Sequence, residues 1–94
     1  MNHVIKKDKL DIAEDIVYGW YSVTRDKNIE DKGVIVALQT RIIHRLMSQG
    51  MDPKIAKDLS IRAIDEWARF AEGKECSDLP VMESLVEAVS KVVR

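Results

Sequence analysis

Arg41, His44 and Arg45 stand at three- and four-residue spacing in a stretch, Val34 to Gly50, that holds no carboxylate. At about 100° per residue, Thr40, Arg41, His44, Arg45 and Ser48 fall on one face of a helix, opposite its apolar side. Guanidinium and hydroxyl donors spaced in this way can grip the phosphates of a nucleic-acid backbone. The stronger reading is the plainer one, a solvated helix face or ion-pair partners for the acidic back of another helix or protomer. Arg41, His44 and Arg45 remain the candidate anion or nucleic-acid face.

Other chemistry is poorly supplied. His3, His44 and Cys76 are scattered singly, with no Cys-x-x-Cys, His-Glu-x-x-His or Glu-x-x-His pattern, so neither a metal site nor a bound cofactor is expected. Cys76 precedes a helix start, where a thiol can be acidified, but no histidine lies near it in sequence to complete a nucleophile. Glu14 with Asp15, and Asp65 with Glu66, are neighbours that point about 100° apart on a helix, so neither pair converges on one substrate atom. The glycines at 19, 33, 50 and 73 stand too far apart for a phosphate-cradling loop. No catalytic residue, and no enzyme, is expected. A helix-turn-helix could be sought in Asp52–Trp67, yet Ser60 interrupts nothing in the helical pattern, and Asp65 and Glu66 on the second segment would repel phosphate.

These residues need elements to place them, and the pattern specifies an all-α chain. Of 94 residues, 46% are apolar and 33% charged, with four glycines and two prolines: too apolar for disorder, too poor in turn-formers for many strands. A compact bundle of four helices is expected, over about 9–24, 33–49, 53–72 and 79–93, in a single domain 1–94 with 1–7 as a flexible arm. The first helix would be capped by Asp8 and carry Asp11, Glu14 and Asp15 on its outer side. Residues 25–33 read as a charged loop, and Gly50 stops the second helix. Asp52 and Pro53 mark the start of the third and Gly73 its end, while Ser77 or Asp78 caps the fourth, with Pro80 in its first turn. The likeness of Asp11–Ile16 to Lys54–Leu59 ends too soon to count as a repeat.

The third helix carries apolar residues over roughly 200° of its girth, on the same step angle. That is more than one neighbour covers, so it is read as the central helix, with a surplus for a partner. The last helix, rich in valine, is expected to lean on packing for its stability. Ile61, Ile64, Trp67, Ala68, Val89 and Val92 are the candidate self-association or partner face. Trp20, Trp67, Phe70, Met47, Met51 and Met82 are first of all core residues, with a secondary claim to an interface.

With 15 basic against 16 acidic residues there is no global field to recruit nucleic acid or an anionic membrane. A single cysteine excludes an internal disulfide and suits a reducing compartment, no apolar run approaches a membrane span, and the first nine residues lack the core of a signal peptide. The expected protein is thus small, cytoplasmic and helical. It would act through another protein, as a homodimer, in a regulatory or accessory role. The alternative is nucleic-acid binding through the basic face of the second helix.

Overall fold

A computed structural model of the chain describes residues 9–24, 27, 31–75 and 78–93. Four helices form within them: α1 (Lys9–Thr24), α2 (Lys32–Ser48), α3 (Pro53–Ala71) and α4 (Leu79–Ser90). The expected arm 1–7, the Asp8 cap, Ser77 and Cys76 lie outside the described residues.

Caps set most of these boundaries. The Asp31 carboxylate accepts from the Gly33 amide at 2.8 Å, and the Asp52 carboxylate from the Lys54 amide at 3.0 Å. Each satisfies an amide that the first turn leaves unpaired. Asp78 holds the extended backbone of an N-cap before α4 but makes no side-chain cap bond. Gly50 and Gly73, at φ 89° and 75°, turn the chain out of α2 and α3 in the left-handed region where a β-carbon is penalised. The expected end of α4 at Val93 needs correction to Ser90: beyond it, Lys91 and Val92 amides bond back three residues to Ala88 and Val89. The last turn tightens, and Val93 still reaches the core.

α1 packs on α2, α2 on α3, α3 on α4, and α1 closes the ring against α4. Across the middle, the Trp20 and Trp67 rings meet edge to face, with centroids 5.6 Å apart and planes at 89°. Each indole N–H donates to a carbonyl in the first turn of the helix that follows: Trp20 Nε1 to Val34 O at 2.9 Å, Trp67 Nε1 to Val81 O at 3.1 Å. Burying each ring stabilises the fold by about 5 kcal/mol before entropic costs.

Those two bonds expose a symmetry. Both span 14 residues, and one constant offset carries Trp20 to Trp67, Asp31 to Asp78, Val34 to Val81 and Leu38 to Leu85. The same offset pairs Val17 with Ile64, Thr24 with Ala71, Ile42 with Val89 and Leu46 with Val93, and every one of these residues is buried. The α1–α2 hairpin and the α3–α4 hairpin are therefore two versions of one unit. This repeat is not the echo at Asp11–Ile16, which has a different offset.

The ring also corrects the expected partner face. Ile64, Trp67 and Val89 are inside the bundle, because α3 meets α2 and α4 within one chain. Ala68 and Val92 are half-buried, and Ile61 alone of the six is well exposed, at 39%. The valine face of α4 is likewise internal through Val81 and Val89. Trp20, Met51 and Met82 are core, whereas Met47 and Phe70 are largely exposed.

Loss of either indole N–H should be felt. Trp20→Phe and Trp67→Phe are each expected to lower unfolding free energy by about 1–3 kcal/mol in urea titrations, and by similar amounts, since the positions are equivalent. Phe70→Ala, at a side chain outside the core, should cost under about 1 kcal/mol.

Candidate functional site

Arg41, His44, Arg45 and Ser48 are brought together by α2 on one wall of an open cleft of about 360 Å³; Asp15 and Ile16 of α1 form the other. The basic face expected from spacing alone thus borders α1, next to one of the carboxylates of its acidic back. Arg41, His44 and Ser48 are exposed and Arg45 is half-buried. Ser48 Oγ donates to Arg45 O at 2.6 Å, which keeps that hydroxyl against its own helix. Among the described residues, the ion pair that closes is elsewhere, Lys91 Nζ to Glu66 Oε1 at 2.8 Å.

Gly19 explains how the cleft is shaped. A β-carbon at this position would lie 2.8 Å from Arg41 Nη1, so the guanidinium rests directly on the α1 backbone. Sequence reading treated Gly19 only as one of four scattered glycines; its role depends on a contact across helices and left no local signal.

The equivalent place in the other hairpin is built differently. By the offset that relates the halves, Gly19 corresponds to Glu66, Arg41 to Ala88, His44 to Lys91 and Arg45 to Val92. There Ala88 is buried, and Glu66 reaches Lys91. The Glu66 hydrogen bond and charge, helped by Glu87, raise Lys91 above its ordinary pKa. A raised lysine pKa means that the link is present at neutral pH and that on the alkaline side it is lost as pH carries Lys91 through its folded value. The α3–α4 side is closed by its own carboxylate. In the α1–α2 side the carboxylate has become glycine, and the cations remain at the cleft.

The flanks of each helix can now be assigned. Glu66 reaching Lys91 identifies the flank of α3 that faces α4, so Ile61 and Ala68, on the other flank, border α2. Arg41 and Arg45 face α1, so Val36, Ile43 and Met47, on the far flank of α2, border α3. Val36 is 56% exposed and Met47 42%, with Ile61 at a level between Val36 and Ile43 across the antiparallel pair. The equivalent α4–α1 face carries Glu83, Ser90 and Glu14 in place of Val36, Ile43 and Ile61. The two faces differ at these three positions, while the α4–α1 side carries exposed Leu10 and Tyr18 at the places of Lys57 and Asp65.

Among the described residues no group of three or more His, Cys, Asp or Glu side chains converges to hold a metal ion. No described helix is long and apolar enough to cross a membrane. Comparison with known proteins adds no relative: no protein-family model, curated protein or solved structure matches the chain.

Exposed cations that hold up no core should be dispensable for folding. Joint replacement Arg41→Ala and Arg45→Ala is expected to leave the unfolding free energy within about 0.5 kcal/mol of the parent, measured by urea titration.

Proposed function

We propose that this protein works by docking against protein, as a small cytoplasmic accessory factor that pairs with a second copy of itself through the α2–α3 face. One observation carries the reading: Val36 and Ile61 are exposed on adjacent helices at positions whose equivalents in the other half of the bundle are Glu83 and Glu14. The bundle itself does not require apolar residues there, since Glu83 and Ser90 occupy the equivalent places on α4. Exposed aliphatic and methionine side chains gathered on one face are the usual material of an interface centre.

A second copy suits this face because a twofold contact sets a patch against itself. Ile61 of one protomer would then meet the Val36–Met47 strip of the other. Half-buried Ile43 and Ala68 give the patch a floor, and Lys54 and Lys57 with Asp65 supply a polar edge of both signs. An apolar centre inside a polar rim is the anatomy of a specific association. Ile61 and Ala68 belong to the proposed face, joined to α2 rather than to the core residues of α4.

Light scattering after gel filtration tests the reading. At protein concentrations on the order of tens of micromolar, the parent should elute with the mass of two chains. Val36→Glu with Ile61→Glu should give the mass of one chain with unchanged helical circular dichroism. A parent that stays strictly monomeric there would remove self-association as the function.

A further inference from the structure

The α1–α2 cleft uses no residue of the α2–α3 face, and its cations are not called on by the fold. We propose that it is a second binding site, which takes the carboxylates of an acidic segment from a partner protein. The proposal shares with the functional reading only the premise that this chain binds protein.

Three observations converge on this. First, two guanidinium groups, an imidazole and a hydroxyl line one open volume, on a helix that holds Lys32, Arg41 and Arg45 but no carboxylate in a chain of net charge −1. Planar guanidinium forks at four-residue spacing match carboxylates on an extended or helical segment. Second, the duplicated half provides an internal control. Its cation at the equivalent place, Lys91, is met by Glu66, and the residue in the Glu66 position of the cleft is Gly19. An intramolecular carboxylate closes one site, and the same carboxylate is missing from the other. Third, the absent side chain leaves room for Arg41 to lie against the α1 backbone beside the cleft.

The chemistry favours a peptide carboxylate over a nucleic-acid backbone. The basic wall from Arg41 to Ser48 is only about 10 Å long at the rise of an α-helix. A nucleic-acid backbone offers phosphates over a far longer run than this wall can meet. A short acidic segment can be matched along its whole length, with its carboxylates against α2 and an aliphatic side chain against Ile16.

Fluorescence anisotropy decides the matter, with the full chain titrated into a labelled glutamate-rich peptide, its glutamine counterpart and a labelled DNA duplex, at low and at moderate salt. The glutamate peptide should bind, weaken with salt, and exceed both other probes. Arg41→Ala with Arg45→Ala should weaken it by about tenfold or more. Gly19→Ala keeps every charge and favours the helix, yet its β-carbon displaces Arg41, so it should weaken binding by about threefold or more with unchanged circular dichroism. Val36→Glu with Ile61→Glu should keep the peptide affinity, which separates this site from self-association. Absence of glutamate-peptide binding at low salt, indifference to the arginine pair, or tighter arginine-dependent binding of the duplex would each overturn the proposal.

Discussion

An indole buried without a partner for its N–H is costly, and this chain buries two of them against each other. Each finds its acceptor in the first turn of the next helix, Val34 O for Trp20 and Val81 O for Trp67. A single side chain thereby does two jobs: its ring joins the two hairpins, and its N–H fixes where the next helix begins relative to its own. Asp31 and Asp78 stand at the N-cap immediately before those turns, so the geometry of each hairpin is specified twice, by cap position and by indole. The remaining core positions follow from that registration, with Leu38 and Leu85, or Ile42 and Val89, completing equivalent layers.

Because the two halves bury equivalent residues, their surfaces can be compared as two answers to one packing problem. Between α3 and α4 a long Glu66 lies beside a small Ala88; between α1 and α2 a long Arg41 lies beside a small Gly19. Only the first neutralises the cation next to it. The same comparison separates the two outer grooves at Val36, Ile43 and Ile61, whose equivalents are Glu83, Ser90 and Glu14. Both departures involve α2, whose outer surface grades from basic residues beside α1 to apolar residues beside α3.

The helices were largely legible because their boundaries rest on local chemistry. Asp52 with Pro53 and the left-handed Gly50 and Gly73 need no tertiary information to be read. The end of α4 was not legible, since the three-residue bonds of the Lys91 and Val92 amides leave valines in an unbroken apolar pattern. Periodicity measured the apolar arc of α3 but not the number of helices that cover it, so Ile64, Trp67 and Val89 were assigned to a surface they do not reach. The duplication escaped notice for a related reason: burial constrains size and polarity more than identity, and Thr24 with Ala71, or Ala13 with Ser60, serve one position with different chemistry. Arg41, His44 and Arg45 were legible as a face, because one helix carries all three. The opposite wall, Asp15 and Ile16, and the contact at Gly19 arise only when α1 is laid beside α2.

Folding alone does not account for what α2 presents to solvent. An exposed Val36 or Met47 gains little from a core it does not enter, and an unpaired arginine at a helix flank contributes little to stability. The other half of this same chain folds with Glu83 at the Val36 position and with Lys91 tied down at the His44 position. Since the polar and neutralised versions are compatible with the fold, folding does not select between them and the apolar and uncompensated versions that α2 carries. The two proposed contacts, a second copy on the apolar flank and carboxylates on the cationic one, would supply that selection.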